Sequence, residues 1–235
     1  MKKNTRISIF NIIIMGMLLF LASSCEDNLS VPANDVKDID GNKYTSVKIG
    51  TQVWMVENLK VTHYRNGDAI STSGVAEDAF YNDYNNDVNN SITYGRLYSW
   101  GAVTDNRNIA PEGWHVPSDT EWTTLTDYLG GENVAGGKLK EAGTIHWLSP
   151  NTGATNESGF TALPGGDRSD WNRESPGSFE DLGHLGRWWS STGTDSQSGV
   201  NVWSRTMVYS SGEVLRYSNH PTWEVILHSV RCIKD

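Results

Sequence analysis

The hydrophobic pattern is most concentrated at the start of the chain. Lys2, Lys3 and Arg6 precede residues 7–21, which are apolar almost throughout, and the small residues Ala22-Ser23-Ser24 lead into Cys25. A cationic start, an apolar segment and a small-residue boundary predict an export signal cleaved before the cysteine. A membrane-spanning helix needs about 20 apolar residues with anchoring flanks. This run is shorter and ends on Glu26-Asp27. The pattern divides the chain into a signal (1–24), a polar flexible tether (25–36) and one domain (37–235) long enough to bury a core.

Beyond the tether the pattern changes to short alternating runs. Val47-Lys48-Ile49 and Gln52-Val53-Trp54-Met55 flank Gly50-Thr51, which predicts a hairpin with a type II′ turn. A second hairpin is predicted where Val200 to Tyr209 and Val214 to Tyr217 surround Ser210-Ser211-Gly212-Glu213, and a last strand over Val225 to Ile233. One helix is sharply marked: Ser118 as N-cap, Glu121 three residues on as a capping box, Trp122, Leu125 and Leu129 on one face, and Gly130-Gly131 as the stop. Weaker helical patterns cover 93–103, interrupted by Gly95 and Gly101, and 134–142. These elements predict an α+β fold, with short helices packed on a twisted, mostly antiparallel sheet. Long irregular loops fall at 71–90, 149–158 and 165–178, and loops of that length are usually functional.

Charge and cysteine content narrow the function. The formal charge of −9 becomes −12 once the three basic residues of the leader are removed, because the leader holds no acidic residue. Such a surface does not suit nucleic acid, whose recognition needs a basic footprint. The two cysteines are Cys25 and Cys232. A lipidated Cys25 leaves Cys232 without a disulfide partner, and Cys232 reads as a small buried residue. Ten tryptophans exceed what packing a domain of this size requires. Trp54, Trp100 and Trp122 lie in periodic segments and read as core. Trp171 sits in a polar loop. The adjacent Trp188 and Trp189 point to opposite faces of a strand, which leaves one of them for solvent or a groove.

Five ordered blocks carry a family likeness. They are Tyr94-Gly95-Arg96-Leu97-Tyr98-Ser99-Trp100, Pro111-Glu112-Gly113-Trp114-His115-Val116-Pro117-Ser118, Gly159-Phe160-Thr161-Ala162-Leu163-Pro164-Gly165-Gly166, Trp188-Trp189-Ser190-Ser191-Thr192 and Ser229-Val230-Arg231-Cys232. The chain over 38–235 resembles the Fibrobacter succinogenes major paralogous domain, a family common among surface and secreted proteins of the Bacteroidetes and Fibrobacteres. The resemblance implies a fold similar to the C-type lectin-like and formylglycine-generating-enzyme superfamily, and it implies no established activity. Relatives often carry cysteines where this chain has Ala110 and Ala79-Phe80, so its loops must be held by other means. The Cys25 boundary resembles that of bacterial lipoproteins, with Ala22 in place of their familiar leucine. Glu26-Asp27 resembles the acidic signal that sends some of them to the outer face of the outer membrane. A membrane partner held through a lipid anchor, and an outer-membrane, cell-surface location, follow as expectations.

Candidate chemistry is sparse. Asp83, Asn85 and Asp87 alternate oxygen side chains of the kind Ca²⁺ prefers, without the glycine and glutamate of an EF-hand. The same residues also favour turns. Calcium is the one candidate cofactor, with Asp167, Asp170, Glu174, Glu180 and Asp181 as a second acidic set. The enzymes of the resembled superfamily use a cysteine pair or clustered histidines. This chain offers Cys232 alone and six histidines scattered without ligand spacing. No nucleophile elbow or phosphate-binding glycine loop is present. The expectation is a binding or adhesion module for a glycan or another extracellular ligand. Trp171, Trp188 and Trp189 would be its apolar platforms, and Asp167, Arg168, Asp170, Asn172 and Arg173 its polar groups. A part in a surface-protein assembly and an enzyme remain as alternatives.

Overall fold

The structure, a computed structural model, describes residues 36–169, 177–196, 199–219 and 224–235. The signal, Cys25 and most of the tether lie outside the described residues, as do Asp170, Trp171, Asn172, Arg173 and Glu174. Strands β1 (Val36–Lys37) and β2 (Lys43–Tyr44) pair antiparallel. The first predicted hairpin is present as β3 (Ser46–Ile49) and β4 (Gln52–Met55). Its turn uses Gly50 at φ 61°, a left-handed conformation that a side chain would disfavour.

The segment 93–103 departs from its predicted helix. After β5 (Tyr81–Asn82), helix α1 (Val88–Tyr94) ends where Gly95 turns the chain at φ 78°, and Leu97–Ser99 then forms strand β6. All three β6 residues are buried, and the strand pairs with β5, so sheet burial overrides a helical pattern already broken by glycine. Only the short α2 (Trp100–Thr104) follows, capped by the Ser99 side chain. Then come β7 (Trp114–His115), α3 (Asp119–Tyr128) and α4 (Glu132–Leu139). The capping box of α3 is complete: Ser118 and Glu121 each accept from the other's backbone N–H.

The C-terminal half supplies most of the sheet: β8 (Gly165–Ser169), β9 (Ser178–Leu182), β10 (Leu185–Ser196), β11 (Gly199–Val208), β12 (Leu215–Asn219), β13 (Ile226–Ser229) and β14 (Ile233–Lys234). The single last strand expected over 225–233 is thus two strands in different sheets. The larger sheet runs β12-β11-β10-β8-β13-β6-β5, with β9 added on β8; the smaller runs β3-β4-β14-β7. Pairings are antiparallel except those of β10 with β8 and β13. Among the described residues the domain is therefore a sheet-rich α+β structure with few short helices. No described helix is long and apolar enough to cross a membrane.

The core lies on both sides of β10. Trp188 joins Trp54, Trp122 and Phe160 beneath α3 and the small sheet, whereas Trp189 joins Tyr98, Val202 and Ile226 on the other side. The two tryptophans do alternate in direction, but both are fully buried. The expectation that one of them faces solvent or a groove is therefore corrected. Helix and small sheet cover one face of this strand, and the loops and α2 region cover the other, so neither ring offers a platform to a ligand.

Candidate functional site

The predicted calcium residues are occupied by the protein itself. Asp83 accepts from the Ser91 hydroxyl and lies 3.1 Å from Arg96 Nε. Asp87 caps α1, accepting from the Asn89 N–H at 3.0 Å. Asn85 sits at φ 55° in the short 3₁₀ turn Tyr84–Asn86, a left-handed position that asparagine tolerates. Turn formation and helix capping account for the alternation that suggested a cation. Among the described residues, no three of His, Cys, Asp and Glu group closely enough to hold a metal ion.

Arg168 and Asp167 are neighbours on β8 with different roles. Arg168 donates to the Gly177 carbonyl at 2.8 Å and to Asn82 Oδ1 at 2.5 Å, with its guanidinium over the Phe179 ring. It holds β9 and β5 against β8. Asp167 points the other way, into a cleft of about 380 Å³ lined by strands of the larger sheet.

Strand register builds this cleft. The parallel pairing of Gly186 with Gly166 sets Arg187 beside Asp167, and Arg187 Nη1 lies 2.7 Å from Asp167 Oδ2. Ser204 stands opposite Trp189 on one side and Tyr217 on the other, so Arg187, Ser204 and Tyr217 share one face of β10, β11 and β12. Asn219 Nδ2 donates to Ser204 Oγ at 2.8 Å. Tyr217 is 46% exposed, and the Arg187 guanidinium lies 6.0 Å from its ring centre. Glu180 stands across the β8–β9 ladder from Asp167, and Asp181, Glu224 and Ile226 complete the wall.

Electrostatics sharpen the picture. Among the described residues, four carboxylates line the cleft against a single guanidinium. The Asp167 side chain is only 3% exposed. Burial pushes its pKa up to about 6, with the Asp181 and Glu180 charges adding to the shift and Arg187 opposing it. On the same side of β13 as Ile226 lies His228, fully buried, its ring 4.1 Å from that of Trp189. Among the described residues neither of its ring nitrogens has a hydrogen-bond partner, and burial followed by the nearby Arg187 charge pulls its pKa well down, so it is neutral.

Of the described residues predicted for ligand binding, Asp167, Arg168, Trp188 and Trp189, the structure brings Asp167 alone into this cleft. Arg187, Ser204, Tyr217, Asn219 and Glu224 were missed, because their convergence depends on pairings among four strands. The remaining candidate chemistry is structural. Cys232 is buried, with its thiol pKa pushed up by burial. His115 lies between Asp235 at 2.7 Å and Glu121 at 2.8 Å.

A mixed sheet with short helices, and a cleft lined by its strands, defines a sheet-rich domain of the α+β class. Within that class, residues 47–234 match the model of the Fibrobacter succinogenes major domain, and the chain belongs to that family. No curated protein and no solved structure matches the chain significantly.

Proposed function

We propose that the protein is a lipid-anchored module of the outer membrane, displayed at the cell surface, that binds a glycan in the cleft around Asp167, Arg187 and Tyr217. The cleft is the observation that carries this reading. Binding sites combine apolar surface with a few placed polar groups. Here a half-exposed tyrosine ring lies beside an ion pair, with hydroxyl and amide groups from Ser169, Ser204 and Asn219 around it. Serine and asparagine suit the many hydroxyls of a sugar, and a tyrosine ring offers a flat apolar face to it. The proposal includes a C-type lectin-like fold. It is supported by the short helices on a mostly antiparallel sheet and by the antiparallel pairing of β14 with β4, through Ile233 and Trp54.

Anchoring rests on Cys25 and the apolar leader. Two or three acyl chains, at about 0.8 kcal/mol per buried methylene, hold a domain on a membrane stably. The glycan reading is tested by screening the full-length protein in detergent micelles on a glycan array, with Ca²⁺ and with a chelator. Binding that disappears in Tyr217→Ala supports it, and loss on chelation would restore calcium to the acidic loops. Retention of no glycan in either condition overturns the reading in favour of an assembly role.

A further inference from the structure

We infer that the cleft takes an amino sugar, a glycan residue bearing an unsubstituted ammonium group, with the ammonium among the carboxylates and the ring against Tyr217. This rests on the glycan reading and names its ligand class. The single cation among the described residues of the cleft, Arg187, is committed to Asp167 at 2.7 Å. That pairing leaves Glu180, Asp181 and Glu224 without an arginine or lysine partner among the described residues, while all three line the same wall. Among the described residues, Glu180 accepts a hydrogen bond only from the Ser178 hydroxyl. The charges of Glu180 and Asp181 reach Asp167, so these carboxylates act on one space.

The excess of negative charge among the described residues of this concave, partly desolvated site favours a cationic ligand and raises its encounter rate. A metal ion does not fit, because the described carboxylates do not converge at ligating distance. An organic ammonium fits, since its three donors can be shared among separated acceptors and the Tyr217 face adds a cation–π contribution. Ser204 and Asn219, already joined at 2.8 Å, and Ser169 offer hydroxyl and amide groups that a lysine side chain would leave unused.

The test is calorimetric titration of the full-length protein in micelles at about pH 6.5, where an amine is protonated. The probes are a glucosamine tetrasaccharide, its fully N-acetylated counterpart and tetralysine. The glucosamine oligomer should bind about tenfold or more tightly than the acetylated one, with an affinity that falls as salt rises. Glu224→Gln and Tyr217→Ala should each weaken it about tenfold with unchanged thermal melting. Equal binding of the two oligosaccharides overturns the ammonium inference and leaves the glycan reading standing. Binding of tetralysine alone, or of none of the three, overturns the amino-sugar inference, and the glycan reading then stands or falls on the array.

Discussion

Arg231 donates through both Nε and Nη2 to a single acceptor, Asn58 Oδ1, at 2.9 and 2.7 Å. The same oxygen accepts from Trp188 Nε1 at 2.8 Å, while Asn58 Nδ2 donates to the Tyr94 carbonyl at 2.7 Å. Arg231 also donates to the Phe160 carbonyl, and its guanidinium lies 4.4 Å from the centre of the Phe160 ring. Four of the five blocks that carry the family likeness thus meet at one asparagine or its arginine. Gly95 belongs to this arrangement, because a Cβ there would lie 2.5 Å from that of Asn58. The guanidinium is 1% exposed and its direct partners are neutral oxygens. Burial pulls its pKa down to about 9, which still leaves it charged at neutral pH.

Removing Asn58 should therefore be severe. Asn58→Leu strands a buried charge and the Trp188 indole N–H together, and breaking a buried charge's interactions costs about 3–5 kcal/mol. Denaturant unfolding measures it, and a loss below about 1 kcal/mol would refute the central role given to this contact. Arg231→Lys should not rescue stability, because an ammonium lacks the planar fork that reaches Asn58 and Phe160 at once.

Trp189→Ala should unfold the domain rather than selectively weaken a ligand. The ring is fully buried, its Nε1 donates to the Tyr98 carbonyl at 2.7 Å, and it stacks on His228. Truncating a buried tryptophan costs about 3–5 kcal/mol. Trp114→Ala, at 6% exposure in the same core, should behave alike. A variant that melts normally but loses ligand would return Trp189 to the binding site.

These two tryptophans also show which parts of the structure were legible in the sequence. Local signals survived folding: the Ser118–Glu121 capping box, the Gly50 turn and the hairpin of β11 and β12 all lie where residue chemistry placed them. Alternation gave the directions of Trp188 and Trp189 correctly. It could not give their burial, which depends on what distant segments lay over each face. The cleft was hidden for the same reason. Arg187, Ser204 and Tyr217 carry no motif, and only the ladders that join β8, β10, β11 and β12 bring them together. Asp83 and Asp87 misled in the opposite sense, since oxygen side chains that suit a cation equally suit a helix cap.

His115 makes stability depend on pH. Burial alone would lower its pKa, but hydrogen bonds to Asp235 and Glu121 outweigh that and the charges of both reinforce them, so the pKa is raised. The folded state therefore holds the proton more tightly than the unfolded chain. The stabilisation is fully present below the ordinary histidine pKa and is lost as pH rises through the raised one. Because the ring is about one-third exposed, screening limits the effect to less than about 1 kcal/mol. His115→Gln should flatten this part of the melting-temperature profile above about pH 6, and an unchanged profile would refute the assignment.

Cys25→Ala should abolish metabolic labelling by palmitate and release the protein from the membrane fraction. The anchor supplies the membrane affinity, and a single acyl chain is already only marginal. Continued labelling in the variant would overturn the lipoprotein proposal.

Asp167 gives the cleft its own titration. Burial is the largest influence on this carboxyl, and Arg187 at 2.7 Å only partly offsets it, so its pKa rises to about 6. The folded protein binds a proton more readily here than the unfolded chain does. The contribution to stability is complete below the ordinary aspartate pKa and disappears as pH rises through about 6. The stability gap between the natural protein and Asp167→Asn should therefore widen on acidification from neutral pH, by on the order of 2–3 kcal/mol. A carboxyl-carbon NMR titration should show a midpoint near 6 for Asp167. In Arg187→Met it should move higher, because the opposing charge is gone. A midpoint in the ordinary carboxylate range would mean that the ion pair dominates burial. It would also mean that Asp167 keeps its negative charge beside Arg187 well below pH 6.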